Sequence, residues 1–482
     1  MLKRNLAWML CVVCLTAWAQ DGKPPRSEKL LGEIDVTSWM QSSFNVSPDG
    51  RRFVYVTQDK GKQAVIVDGK RGKFYDGIGD HSSFFSPDSR HVAYLARFND
   101  KWHVVYDGVE GKGYDALANP VFSPDSRRYA YKAKRGEHAL VVVDGKEGAR
   151  YDGLGDREQA LLFSPDSKRL AYVAQQGNTF FVVVDGKKGK PYDIIGASSL
   201  TFSPDSRRVA YRAMLDGATM VVVDGEEQKH YQAVAASVPL FSPDSKHIVY
   251  VAGAGDKKFI VLDGKEGPPY ADIISRSPTF SPDGRHLAYI TRQDNHDAVV
   301  LDGREGEHYD RITQDNPVFS PDSEHIVYVA QAGDKEFAVI DGKPQQGYEH
   351  VGSNGSFFSP DSKHIGYLAA TSDEEMFVVV DGMEQKKYNA IGKRNPRFSP
   401  ASDYVAYKAR AGVEQLVVVD GEEDQRYDLI VTDIEFDSPR SLHYLAIKDN
   451  KVYRIDRGKS IAGVTMSVGR QANAGKNTIG AY

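Results

Sequence analysis

Along most of the chain, short apolar runs alternate with polar punctuation at a fixed stride. Residues 200–234, LTFSPDSRRVAYRAMLDGATMVVVDGEEQKHYQAV, hold four strand signals bounded by turn residues. Strand A, Leu200 to Phe202, runs into Ser203-Pro204-Asp205-Ser206, where proline presets φ and Asp and Ser bond to nearby backbone, which predicts a tight turn. Strand B, Val209 to Ala213, puts Val209 and Tyr211 on one face and Ala210 on the other. Strand C, Met220 to Val223, is apolar on both faces, the pattern of a strand covered on both sides and so placed between neighbouring sheets. Asp224-Gly225 suits the positive φ of a hairpin, and Tyr231, seven residues after the Asp, falls in strand D.

The unit repeats. Ser-Pro-Asp or a variant recurs eleven times, at Ser47, Ser86, Ser123, Ser164, Ser203, Ser242, Ser281, Ser320, Ser359, Ser399 and Ser438, mostly 39 residues apart. The Asp-to-Tyr spacing of seven holds in every complete copy, from Asp68 and Tyr75 to Asp420 and Tyr427. A unit of about 40 residues cannot bury its own core, so the copies must pack on one another. Four antiparallel strands per copy, without helical segments, predict an all-β fold: a β-propeller of about eleven four-stranded blades, in preference to a β-helix or a helical solenoid. The last copy supplies only A, B and C, at Ile434 to Phe436, His443 to Ile447 and Val452 to Ile455. Leu30 to Val36 stands where a D strand should precede the first A strand, Phe44 to Val46. The N-terminal strand can therefore complete the last blade and close the ring, removing exposed strand edges. Two fused smaller rings, of five and six blades, are the alternative, because propellers typically have four to eight blades. Even spacing, the absence of a linker and the complementary ends favour one ring over 30–457. The irregular intervals are Tyr114 to Ser123, Tyr151 to Ser164 and one extra residue between Tyr367 and Asp381.

The phrases FSPDSRRVAY, FSPDSKRLAY and FSPDGRHLAY, each leading into a hydrophobic strand, resemble the WD-repeat-like blades of the TolB family and its relatives. The resemblance covers residues 30–457. It implies a bacterial envelope or secreted protein that binds something through a propeller face, and it says little of function, because turn and core residues carry it. The chain departs from TolB in having only Gln20 to Glu28 between leader and repeats where TolB carries an α/β domain, and from true WD repeats in closing strand C on Val-Asp-Gly or a variant. TolB's partners are therefore not carried over.

The N-terminus reads as a secretory signal peptide over 1–19: basic Lys3 and Arg4, an apolar Leu6 to Leu15, and an Ala17-Trp18-Ala19 cleavage site. The apolar stretch is shorter than the roughly 20 residues a bilayer span needs. Cleavage near Ala19 predicts a periplasmic or secreted protein, with a membrane anchor and lipidation at Cys14 as weaker readings. Both cysteines, Cys11 and Cys14, lie in that leader, so the remainder has no thiol for a disulfide, a metal site or a nucleophile. Without the leader, 59 basic residues face 66 acidic ones, spread along the repeats, which argues against a nucleic-acid partner.

Chemistry-bearing residues mostly acquire local explanations. Asp144 and Asp152, eight apart, suggest a calcium or acid/base pair, but the second position becomes Gln232, Ala271, Glu349 and Asn389 in other copies, so a turn is the better reading. His91, His247, His286, His325 and His364 all fall five residues after the motif Ser, where other copies carry Arg52, Arg128, Arg169 and Arg208, a polar strand-edge position. There is no HExxH, no G-x-S-x-G and no phosphate loop, so no catalytic residue, metal or cofactor is expected. The A strands supply mostly apolar or small residues to the channel, with Arg397 and Glu435 as exceptions.

Which connections vary is the remaining clue. The A-to-B and C-to-D turns are nearly uniform and share one rim. The B-to-C loops (98–101, 135–138, 293–297, 372–375) and D-to-A loops (80–82, 156–159, 275–277, 393–395) vary and are expected on the other rim. Trp102, Arg276, Arg311 and Arg394 are the candidate ligand-binding residues, because aromatics and arginine dominate interface hot spots. The expectation is an exported, non-catalytic scaffold for a protein, peptide or glycan. A propeller hydrolase or lyase and a purely structural envelope protein are the alternatives, and the tail from Gly458 to Tyr482 has no assigned role.

Overall fold

The computed structural model describes residues 26–34, 40, 43–80, 82–155, 161–235, 239–274, 278–314, 316–352, 358–392 and 395–458. The expected leader and the tail beyond Gly458 lie outside them. Among the described residues the strands form eleven separate antiparallel sheets, each with strand order A-B-C-D and each one blade of a single closed ring. Blades 1 to 11 are numbered by their motif serine, Ser47 to Ser438. The eleven-bladed ring is thus the arrangement the chain adopts, rather than two smaller ones.

Blade 5 shows how the sequence makes the unit. Strand B is Val209–Leu215 and strand C is Ala218–Val223, joined by a two-residue hairpin and paired from Ala210↔Val223 to Leu215↔Ala218. Strand C divides its side chains between two cores. Met220 and Val222 pack with Val173 and Val182 of blade 4, whereas Val221 and Val223 pack with Tyr250 and Val261 of blade 6. This is why strand C is apolar throughout: each valine removed from water is worth about 1.5–3 kcal/mol, and a polar residue on either face would meet a neighbouring blade.

The two invariant turns have more work than their local geometry shows. Asp224 and Gly225 both take positive φ, 54° and 85°, as the tight hairpin requires. The Asp224 carboxylate then accepts the Val209 N–H at 2.8 Å and pairs with Arg208 at 3.1 Å, tying strand B to the C-to-D turn. In the Ser-Pro-Asp turn, Ser203 Oγ donates to Asp205 at 2.6 Å and accepts the Arg208 N–H at 2.9 Å. The fourth turn residue, Ser206 at φ 66°, projects its Oγ into the preceding blade and accepts the Asp166 N–H at 2.9 Å. The same bond recurs from Asp49 to Ser89, Asp125 to Ser167, Asp205 to Ser245 and Asp322 to Ser362. The motif therefore joins blades as well as strands A and B.

Tyrosines fix the outer register. Tyr231 exchanges both backbone bonds with Thr219, and its ring meets Tyr250 of the next blade edge-on at 6.3 Å. The pair recurs as Tyr75–Tyr94, Tyr192–Tyr211, Tyr309–Tyr328 and Tyr427–Tyr444. The constant step of seven from Asp to Tyr is what brings the ring to the blade interface.

The seam between the ends is built from the same parts. Arg26–Glu33, starting and ending earlier than Leu30 to Val36, forms the outer strand of blade 11 against Lys451–Gly458. Tyr427 Oη donates to Glu28 at 3.0 Å, as Tyr388 does to Glu423, so the N-terminal strand supplies the acid that an outer strand otherwise provides. Arg26 reaches Asp424 at 2.9 Å, and Tyr444 donates to the same carboxylate at 2.8 Å. On the other side, Ile34 and Phe53 share a core with Leu445 and Val452, and buried His443 stands between Asp437 (2.8 Å) and the Asp49 carbonyl (2.6 Å). The first and the last described strands are thereby joined in closing the ring.

Candidate functional site

Strand A is the innermost strand of each blade, and it is interrupted. In blade 5 Ile194–Ile195 pairs with the far end of strand B (Ile195↔Ala213) and Thr201–Phe202 with its near end (Thr201↔Ala210), while the residues between leave the ladder. A serine closes the break: Ser199 Oγ donates to the Gly196 carbonyl at 2.5 Å and accepts the Arg212 N–H at 2.8 Å. Ser43 and Ser82 act the same way in blades 1 and 2, and Thr432 takes the strand-B N–H of Leu445 in blade 11.

The D-to-A segments that vary in sequence are these breaks. Where the described residues cover them, as at 118–120 and 197–200, they lie part-way along the inner strand between two stretches that both pair with strand B. The chain begins pairing with the next strand B directly after the tyrosine, as in Asp193 N–H to Met214 O at 3.0 Å. The segments 156–159 and 275–277 lie outside the described residues. Their lengths differ: 118–120 separates the two halves in blade 3 and 155–160 in blade 4. The irregular Tyr114 to Ser123 and Tyr151 to Ser164 intervals are thus differences in inner-wall length. The extra residue after Tyr367 makes a register shift between Ala370 and Ser372 beside a hairpin.

The B-to-C connections, expected as variable loops, are short hairpins: Phe98 pairs with Lys101, Arg135 with His138, Gln293 with His296 and Ser372 with Glu375. They vary in side chain but carry no extra length. The residue after the tyrosine supports several of them, since Asp152 accepts the Gly177 N–H at 2.7 Å and Gln232 and Asn389 do the same for Gly255 and Gly412 at 2.8 Å, whereas Ala271 has no such acceptor. An amide oxygen serves as well as a carboxylate, which explains the drift at this position. Asp144, meanwhile, binds Arg128 and the Tyr129 N–H, so Asp144 and Asp152 have separate structural tasks. The five aligned histidines pair with the Asp of the C-to-D turn at 2.6–2.8 Å, where other copies place arginine. These bonds, with Asp302 and Asp341 as main causes, raise the pKa of His286 and His325 above the ordinary value. Among the described residues no group of three His, Cys, Asp or Glu could hold a metal ion.

Of the sequence candidates, Trp102 is half-buried in strand C of blade 2 and packs on the core that contains Tyr114 and Leu140. It occupies the register where Gln63, Glu336 and Gln415 accept the N–H of the next blade's inner strand. Arg311 opens the inner strand of blade 8, exposed at the channel mouth, between Asp272 of blade 7 and His350 of blade 9 in the same register. Asp272 is paired with Lys258 at 2.5 Å, whereas Arg311 has no ion pair among the described residues. Trp102 and Arg311 lie on well-separated blades and form no joint site. Arg276 and Arg394 fall outside the described residues.

A feature that sequence reasoning missed sits behind the breaks. At the centre of strand B, where eight blades carry Val, Leu or Ile, blades 3, 5 and 10 carry Lys132, Arg212 and Lys408. Each crosses to the next blade's inner strand: Lys132 Nζ to Gly155 O at 2.6 Å, Arg212 Nη1 to Val234 O at 3.2 Å, and Lys408 Nζ to Thr432 O at 3.0 Å and Asp433 at 3.1 Å. Burial depresses the Arg212 pKa. Aligning the repeats column by column exposes this position as three cations in an aliphatic column.

Strand order, interrupted inner strand and turn motif define a closed β-propeller of the TolB-like, WD-repeat-like kind. No model of a known protein family and no curated protein matches the chain. Solved propeller-containing structures do. A eukaryotic initiation factor is 12% identical over 71% of this chain and 98% of its own, with a TM-score of 0.39. TolB from Acinetobacter baumannii is 13% identical over 52% and 77%, TM-score 0.25. The dihydro-heme d1 dehydrogenase NirN is 15% identical over 60% and 70%, TM-score 0.29. At these identities the likeness is one of fold.

Proposed function

We propose that the protein is an exported, non-catalytic binding scaffold, and that it takes its protein, peptide or glycan ligand at the channel mouth and inner wall. One observation carries the reading. The uniform turns and tyrosines of the blade have structural tasks, whereas the segments between the two halves of each inner strand differ in length and in sequence. Repeat proteins commonly place specificity where per-repeat differences collect on one face. Arg311, exposed and without an ion pair among the described residues, is the first residue to test; Arg276 and Arg394, which lie outside the described residues, are the next. Trp102 is set aside because its loss would loosen a blade interface. The motif aspartates and the five aligned histidines among the described residues are committed to turns, which supports a binding role over catalysis.

The test is affinity capture from envelope extract with the mature chain and with Arg276, Arg311 and Arg394 replaced together by alanine. A specific partner retained by the parent and lost from the variant is the expected result. Equal retention sinks the mouth as the binding face.

A further inference from the structure

Between blades 1 and 2, behind the inner-strand breaks, lies a cavity of ≈310 Å³. Its apolar wall comes from Met40, Phe44, Val56, Ile78 and Phe84, and Asp80 stands on its polar side. Asp80 is exposed, and its carboxylate has no hydrogen bond or ion pair among the described residues. The volume is at the lower end of ordinary ligand pockets, which span roughly 300–1,000 Å³.

The protein itself shows what fits such a space. Val56 occupies the strand-B position that holds Lys132, Arg212 and Lys408 in blades 3, 5 and 10, and it faces blade 2 through Ile78. The register is fixed by the break: Val56 N–H bonds to Ser43 Oγ just as Arg212 N–H bonds to Ser199 Oγ and Lys408 N–H to Asn395 Oδ1. At those three interfaces a long aliphatic stem crosses the gap and a cationic head reaches carbonyls of the next break. Gly79, in register with the Gly155 that receives Lys132, lines the cavity. With valine at position 56 the stem and head are missing while the apolar wall remains, and because the Gly79 carbonyl already accepts from the Ser82 N–H and Oγ, Asp80 is the charged partner left at this interface.

We infer that this cavity binds an alkylammonium group, namely a lysine side chain presented by a peptide or protein partner. The butyl stem lies against Phe44, Ile78 and Phe84, and the ammonium meets the Asp80 carboxylate. Asp80 supplies the counter-charge that Asp433 gives Lys408. An aromatic-lined wall favours a cation further through the negative ring faces. The inference rests on the reading of the inner wall as the ligand-bearing surface and names the chemistry of one part of it.

Nα-acetyl-lysine methylamide, titrated into the full chain and followed by calorimetry and by NMR shifts of labelled phenylalanine, tests it against the norleucine analogue, which keeps the stem and lacks the charge. The lysine probe should saturate, with the norleucine probe and the Asp80→Asn chain each about tenfold weaker, the ratio expected when one ion pair of about 1.4 kcal/mol is lost. Val56→Lys, which restores the pattern of blades 3 and 10, should fold and abolish binding. Should that variant fail to fold, Val56→Met fills the same space with a neutral chain and should likewise block the probe. Equal affinity of the two probes, or unchanged binding by Asp80→Asn, overturns the cationic occupant. Absence of saturation up to about 20 mM overturns the site. Either failure leaves the capture result with Arg311 standing or falling by itself.

Discussion

The backbone N–H of Asp166 donates to Ser206 Oγ at 2.9 Å across forty residues of sequence. One turn motif thereby hooks most blades to the one before them. The hook is absent where Gly284 replaces the serine, and a Cβ there would come within 3.0 Å of Asp244 Oδ1, which keeps its usual bond from Ser242 Oγ. Glycine keeps the positive φ that the turn needs.

Ser206→Gly should preserve the turn and remove the hook. Stability should drop by about 1 kcal/mol, the usual net worth of one hydrogen bond, and the Asp166 amide should exchange faster with solvent deuterium. Unchanged exchange at Asp166 would show that the bond carries no load.

Ring closure should depend on Arg26 more than on any exposed pair. Asp424 is almost fully buried beside Arg26, Tyr444 and Arg457. Arg26→Ala withdraws one of its charged partners and should cost about 2 kcal/mol, within the range for hydrogen bonds to charged groups. Lys62→Ala, at the exposed Lys62–Asp76 pair, should cost no more than about 1 kcal/mol. Limited proteolysis should cut the N-terminal strand faster in the first variant only. Equal resistance would argue that pairing with the last strand C suffices for closure.

Histidine bridges should make part of the ring pH-sensitive. Blades 6 to 9 use His247, His286, His325 and His364 where blades 1, 3, 4 and 5 use arginine. The His286 and His325 pKa values are raised above 6.5 by Asp302 and Asp341. A base whose folded pKa is raised stabilises the fold fully below its unfolded value, and that contribution disappears as pH rises through the folded one. Thermal stability should therefore decline from pH 6 upward, and less so in a His286→Arg, His325→Arg chain. Parallel pH profiles of the two chains would rule the bridges out as the source.

The interface tyrosines should resist alkali. Burial, ahead of neighbouring charge, pushes Tyr114 and Tyr211 up to about 12. A folded-state pKa raised above 10 means stability is intact below pH 10 and lost as pH rises beyond it. Spectrophotometric titration should show these phenols ionising only with unfolding, in one cooperative step. Gradual ionisation near pH 10 in the folded chain would contradict the buried pairs.

The repeat motif, the four strand signals and the missing last strand D were sufficient to imply an eleven-copy propeller closed by the N-terminus. They are local features: turn residues set φ, and two-sided apolar strands demand neighbours on both faces. What Ser206 and Tyr231 do across blade boundaries, and what Asp152 does for the hairpin of the following copy, could not be read locally, because their partners lie in the adjacent copy of the repeat. Where the described residues cover the variable D-to-A segments, they depart from the rim assignment for a related reason. A D-to-A segment looks like a loop in sequence, but its first residues already pair with the next strand B, which draws the variable stretch inward to the channel wall. Lys132, Arg212 and Lys408 looked like ordinary strand residues until the ring brought their heads against the next blade. Sequence alone determined the blade and its number, since both follow from periodic short-range chemistry. Tertiary structure alone decided which surfaces meet and where space is left, as between Val56 and Asp80, because a gap between blades is a property of two copies packed together.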